Sequence, residues 1–242
     1  MCGRFVITTP REAIEALFDI KTEGEYTPRY NITPTQPVLY VHRWSGEERR
    51  TDYARWGLIP SWHKDPQNAQ PMINARIETV LEKPSFKAAV RHRRVLVPAT
   101  HFYEWRRDAT PKQPYAVGRT TPEHPSGLFA FAGIVDEWTG KDGEVLPTLA
   151  LLTQAAQGAV ADVHHRMPVT VPTAFFNTWL ECRAVDAAEA LAPLRNPARD
   201  AWTLWPVDMA VNKATSDGSH LLHEVVPEPE RPPAPDRQMS LF

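Results

Sequence analysis

Cysteine is almost missing from this 242-residue chain: there are two, Cys2 and Cys182, far apart in sequence. That argues against a disulfide framework and against any cysteine-based metal spacing. Glycine is sparse at 11, with no glycine-rich phosphate loop and no His/Cys zinc signature, so neither a metal nor another cofactor is expected. Charge of one sign is lacking too. The 27 basic and 29 acidic residues leave a formal charge of -2, so any nucleic-acid site has to be a local basic patch. No run is apolar enough to cross a membrane, and "MCGRFVITTPREA" lacks a basic start followed by an apolar stretch. The expectation is an intracellular, cytoplasmic protein with no membrane partner and with Cys2 as a free thiol.

Proline, by contrast, is abundant at 24. Five prolines fall in "PEPERPPAPDR", residues 227–237, a segment with almost no apolar content. Such a composition predicts a disordered or polyproline-like linker, so the globular domain is expected over 1–226 with a tail over 227–242. Hydrophobic residues make up 42% of the chain, enough for one packed domain.

"TPREAIEALF" predicts a helix, with Thr9 as cap, Pro10 in the first helical position and Glu12 completing a capping box. "PVLYVHR" and "RTDYARWGL" predict two strands paired across a Ser45-Gly46 turn. "KPSFKAAVRH", "PTAFFNTWLE" and "VDAAEALAPL" read as helices. "RVLVPA", "HFYEW", "QPYAVG", "LFAFAGIVDEW", "LPTLALLTQ" and "WTLWPV" read as strands. The class is α+β and β-rich, without the regular alternation of a doubly wound sheet.

Several residues carry chemistry. Loss of Met1 would make Cys2 the terminus and put an α-amine and a thiol on one carbon framework. The α-amine, with a pKa of roughly 7.7–8.0, is about a tenth unprotonated at neutral pH, far more than an ordinary lysine. It can attack an aldehyde to give a Schiff base, and the thiol can then close a five-membered thiazolidine. The plainer alternative for Cys2 is packing. In "PMINARIET", Asn74 and Arg76 share one side if the segment is extended: an orienting group and a phosphate clamp, or a surface turn. Glu104 in "HFYEWRR" is either solvent-facing or a buried carboxylate with a raised pKa. "VHHRMPV" offers His164, His165 and Arg166, as catalytic groups or as a surface loop. Trp62, flanked by Pro60-Ser61 and His63-Lys64, is a candidate platform for stacking single-stranded bases. Arg4, Arg29 and Arg76 would add positive charge if they converge.

"MCGRF", "RYNITPTQ", "WGLIPSW", "INARIET", "FYEW" and "HHRMPV" resemble, in order and spacing, the SOS response-associated peptidase (SRAP) family. The similarity runs from Met1 to about Leu222. It implies a barrel-like antiparallel core with flanking helices. It also implies a monomeric DNA-repair protein that senses abasic sites in single-stranded DNA and crosslinks to them through Cys2 as a thiazolidine. Removal of Met1 can be autocatalytic in the family, and Schiff-base chemistry leaves room for lyase activity. By motif match Cys2 is the nucleophile, and Glu104 moves protons. His164 assists opening and closing of the sugar ring, and Asn74 orients substrate or amine. Arg4, Arg76 and Arg166 match DNA contacts, and Pro34 and Trp62 match a base-splaying wedge. The family commonly has aspartate where His165 stands. Two other readings use the same residues: a peptidase with Cys2 as N-terminal nucleophile, and a non-covalent single-strand binding module.

The chain closes on "QMSLF". Gln238, Leu241 and Phe242 resemble the peptide by which bacterial replication and repair proteins dock into the sliding clamp, which would place the protein at bacterial replication forks. The proline-rich tether could reach about 34 Å at roughly 3.1 Å per residue. The expected outcome of a clamp pull-down is retention of the full chain and loss of a chain truncated after Arg237. Equal retention of both rules the tail out as the docking element.

Overall fold

The computed structural model describes residues 2–22, 26–44, 48–65, 69–107, 111–119, 127–195 and 202–227. In chain order its elements begin with β1 (Phe5–Ile7), α1 (Arg11–Phe18), β2 (Arg29–Ile32), β3 (Pro37–His42), β4 (Arg50–Trp56) and β5 (Asn74–Arg76). Then come α2 (Pro84–His92), β6 (Arg94–Ala99), β7 (His101–Trp105), β8 (Pro114–Gly118), β9 (Phe129–Thr139) and β10 (Val145–Ala155). The last are β11 (Arg166–Pro168), β12 (Thr170–Val171), α3 (Phe176–Leu180), α4 (Ala187–Leu191) and β13 (Thr203–Pro206). The predicted clamp peptide, Gln238 to Phe242, and the Ser45-Gly46 turn lie outside the described residues.

Strands β10, β4, β3, β6 and β9 pair in turn, and β9 pairs back onto β10, closing a five-stranded barrel. All of these ladders are antiparallel except β4 with β10, which is parallel. The expected antiparallel barrel is thus mixed at one seam. β6 and the Phe129–Val135 half of β9 are buried throughout, so they read as continuous apolar runs rather than alternating ones. A second sheet, β13-β8-β7-β1-β2, lies against the barrel. Its side chains alternate between two clusters. Phe5, Ile7 and Phe102 join the main core, whereas Val6 and Tyr103 pack with Val207, Val211 and Leu221 on the other side. Glu104 shares parity with Phe102, and this places its carboxylate on the barrel-facing side.

Around Gly133 the barrel seam changes partners. β10 leaves β9 after the Leu151–Gly133 pair and takes up β11, while β12 pairs with β9. On its other edge β10 exchanges β4 for β5. The "NAR" and "HHR" segments therefore flank one strand, in the order β5-β10-β11.

Arg94 ties the helical side to the barrel. It is fully buried, and its guanidinium donates to the carbonyls of Trp179, Val90, Arg91, Glu181 and Val185 at 2.6–3.3 Å. A buried cation is tolerable only with such saturation. Cys182 sits beside it and accepts from the Arg94 N–H at 3.4 Å.

One capping expectation fails. α1 starts at Arg11, with Pro10 in the cap position and no side-chain cap bond. Pro10 is extended there (ψ 153), which leaves Thr9 one residue too far upstream. Its hydroxyl is buried and makes no hydrogen bond with the described residues.

Candidate active site

Cys2 is completely buried where the N-terminal strand enters between the second sheet and the barrel. Its thiol donates to the Arg4 carbonyl at 3.7 Å. Asn74, on β5, donates from Nδ2 to the Cys2 carbonyl at 2.9 Å. The other amide atom, Asn74 Oδ1, is buried and accepts nothing from the described residues. β1 pairs with β7, and the Tyr103 N–H donates to the Arg4 carbonyl at 3.0 Å. That register brings the next residue, Glu104, beside Cys2. Glu104 in turn lies 3.8 Å from His164 Nδ1. Cys2, Asn74, Glu104 and His164 are thus one cluster, drawn from four separate segments.

Burial sets the electrostatics. Glu104 is 1% exposed, and loss of water pushes its carboxyl up to about 7. His164 is pushed the other way, to about 4, by the same cause. Near neutrality the pair is therefore a half-protonated carboxyl facing a neutral imidazole, not an ion pair. The Cys2 thiol is raised by burial and, secondarily, by the Glu104 charge, so it remains protonated at neutral pH. The His164 Nδ1 edge faces the Arg166 backbone, 3.1 Å from its N–H and 3.0 Å from its carbonyl.

The expected DNA contacts divide. Trp62 is 65% exposed. Its loop is stapled by Ile59 N–H to Thr148 Oγ1 (3.0 Å), Ser61 N–H to Asp136 Oδ2 (3.1 Å) and Trp138 Nε1–H to the His63 carbonyl (2.6 Å). An exposed tryptophan on an anchored loop is a ready stacking surface. Pro34 is half-buried in a turn hydrogen-bonded to Trp56, at the end of β4 from which the Trp62 loop departs. Gly57 starts that departure with φ 126, and a Cβ there would meet Pro71 at 2.5 Å. Arg76 is exposed on β5. Arg29 lies apart from the cluster, bonded to the Pro37 carbonyl at 2.8 Å and to Gln36.

Arg4 and Arg166 are spent within the protein. Arg4 donates to Asn31 Oδ1 (3.0 Å), to the Asn212 carbonyl (3.0 Å) and to the Val211 carbonyl. Arg166 grips Glu78 with both terminal nitrogens, at 2.6 and 2.9 Å, and the Thr153 carbonyl at 2.6 Å. A phosphate would have to displace Glu78 to reach it. Two groups near the cluster were not singled out from sequence. Asn31 is buried and ties the 211–216 segment to β2 through three carbonyls. Arg107, the second arginine of "HFYEWRR", reaches His165. Neither has a pattern signal of its own, since isolated polar residues near strands are common.

The family model described as "SOS response associated peptidase (SRAP)" matches residues 1–214. The chain belongs to the SRAP family. Among curated SRAP relatives, the abasic site processing protein YoqW of Bacillus subtilis is 35% identical over 226 residues, covering 92% of this chain and 99% of its own. The abasic site processing protein YedK of Escherichia coli is 29% identical, covering 93% and 100%. A phage-related protein from Bordetella bronchiseptica superposes with a TM-score of 0.67 at 29% identity, over 85% of this chain and 94% of that one. A Bacteroides thetaiotaomicron protein gives 0.79 at 22% identity, over 93% and 100%, which speaks to the SRAP fold alone. Among the described residues no helix is long and apolar enough to cross a membrane.

The raised Glu104 pKa has a consequence for stability. Between its ordinary value of 4.5 and about 7, the folded protein holds a proton that the unfolded chain has released. Its contribution to stability therefore falls as pH rises through that window. His164, lowered from 6.5 to about 4, contributes with the opposite slope. Glu104→Gln removes only the first effect. Relative to the parent, urea unfolding of this variant should gain on the order of 3 kcal/mol between pH 5 and pH 8. A difference that is the same at both pH values would contradict burial as the cause.

Proposed function

We propose that this chain processes abasic sites, as its relatives' names say of them, and that it does so in single-stranded DNA by forming a covalent thiazolidine through Cys2 after Met1 is removed. The observation that carries the reading is the convergence of Cys2, Asn74, Glu104 and His164, three of them buried and Asn74 half-buried, in one cluster. Those groups match the needs of the reaction in sequence.

An abasic deoxyribose rests mostly as a closed hemiacetal. Opening it moves a proton from the anomeric hydroxyl to the ring oxygen. A neutral imidazole and a half-protonated carboxyl 3.8 Å apart can take one proton and give another. The Cys2 amine then attacks the exposed aldehyde carbon. Glu104 protonates the departing hydroxyl, water leaves, and an imine remains. The thiol adds across the protonated C=N bond, sulfur to carbon, while its proton returns to the Glu104 carboxylate and the nitrogen keeps the proton it already holds. The net loss is one water. The raised thiol pKa fits this order: the amine reacts first, and sulfur acts once the imine's positive charge is beside it. Asn74 fixes the Cys2 backbone through Nδ2 and keeps Oδ1 for the amine or a sugar hydroxyl. Arg76 supplies a phosphate contact, and Trp62 with Pro34 supplies the stacking edge. Shielding of the lesion follows from the burial of the product bond.

The test is a denaturing gel of mature protein with a uracil-containing single strand pretreated with uracil glycosylase. A retarded band that disappears in Cys2→Ala is expected. Its rate should rise toward pH 7.5 as the amine deprotonates and fall above it as Glu104 loses its proton, and Glu104→Gln should remove the alkaline fall. Non-covalent binding without a band would favour a simple binding module. Peptide turnover without an adduct would favour a peptidase.

A further inference from the structure

Arg107 leaves the end of β7 just past Glu104 and crosses to the loop that precedes β11. There its NH1 donates to His165 Nδ1 over 2.8 Å. A guanidinium is always a donor, so Nδ1 accepts and the His165 proton sits on Nε2. The His165 ring lies against His164, with centroids 4.5 Å apart, and His164 faces Glu104. Arg107 therefore links the second sheet to the barrel on the exposed side of the His164–Glu104 pair. Arg107 and His165 are both exposed.

What sets Arg107 apart from Arg4 and Arg166 is its uncommitted donors. Arg4 is occupied by two carbonyls and Asn31, and Arg166 by Glu78 and Thr153. Arg107 has no ion-pair partner among the described residues, and its bond to His165 uses one of five N–H groups. The remaining edge of the fork is the geometry that phosphate oxygens accept in pairs. A neutral histidine aims the fork without cancelling its charge, which a carboxylate in the same place would do.

Resting on the single-strand reading above, we propose that Arg107 binds a phosphate of the damaged strand beside the captured sugar, and that His165 is a positioning residue that holds it there. Arg76, exposed on β5, stands on the other flank of β10, and both cations are close enough to act on His165.

The test uses non-covalent binding, so that adduct formation does not enter. Mature protein carrying Cys2→Ala is titrated with a fluorescein-labelled single strand containing a tetrahydrofuran abasic analogue, by anisotropy, from 50 to 200 mM salt. Adding Arg107→Gln should weaken binding about tenfold at low salt, as expected for one lost charge-assisted contact. It should also reduce the slope of log affinity against log salt by about 0.7, one phosphate on a single strand. Arg107→Lys should keep that slope. His165→Ala should keep the slope while weakening binding a few-fold, whereas His165→Asp should lose the slope as Arg107→Gln does. Thermal melting of each variant checks folding. A parent that binds while Arg107→Gln matches it in affinity and slope overturns the assignment of Arg107 alone. A parent that does not bind the strand at any salt overturns both this proposal and the functional reading beneath it.

Discussion

A carboxyl group held away from water is the feature on which the site depends. Glu104 sits on the barrel-facing side of β7, buried between Tyr103 and Trp105 along the strand. Solvation would return it to an ordinary acid, ionised at neutral pH. Burial keeps it half-protonated there, with a neutral imidazole 3.8 Å away. The same burial keeps the Cys2 thiol protonated. One physical cause therefore sets the protonation of three reactive groups, and it does so at a cost in stability that the large apolar core offsets.

That burial is a product of two sheets meeting. β1 and β7 carry Cys2 and Glu104 from one side, and β10 carries β5 and β11 from the other. The barrel's change of partners near Gly133 is what lets β5 and β11 flank β10, with Asn74 opposite Leu151 on one side and His164 just before β11 on the other. Arg166 locks that arrangement by bridging β11 to Glu78, just past β5. The exposed parts are arranged differently. Trp62 projects from a loop stapled to β9 and β10, so a flexible aromatic is not required.

Much of this was legible in the chain. The strands with strong apolar runs, β3, β4, β6 to β10 and β13, and the helices α1 to α4 appear where pattern places them. The short strands β1, β2, β5, β11 and β12 carry too few residues for a period to show, and their pairing is decided by tertiary neighbours. Periodicity also cannot tell a strand glutamate facing water from one facing a barrel: Glu104 obeys the alternation of β7 either way. Thr9 shows local chemistry losing to a neighbour, since Pro10 takes the cap position. For the arginines, residue type marked Arg4 and Arg166 as readily as Arg76. Only the three-dimensional list of acceptors separates a cation that braces the fold from one with donors to spare, and Arg107 enters by that route alone.

The central claim is that nitrogen and sulfur of Cys2 both end up bonded to one carbon of the damaged sugar. Intact-mass measurement of the complex with an abasic oligonucleotide, followed by denaturation and alkylation of free thiols, tests this directly. The account predicts the summed mass less one water, with Cys182 alkylated and Cys2 refractory. An adduct of that mass in which Cys2 still accepts the alkylating agent, or one attached at another residue, would contradict it.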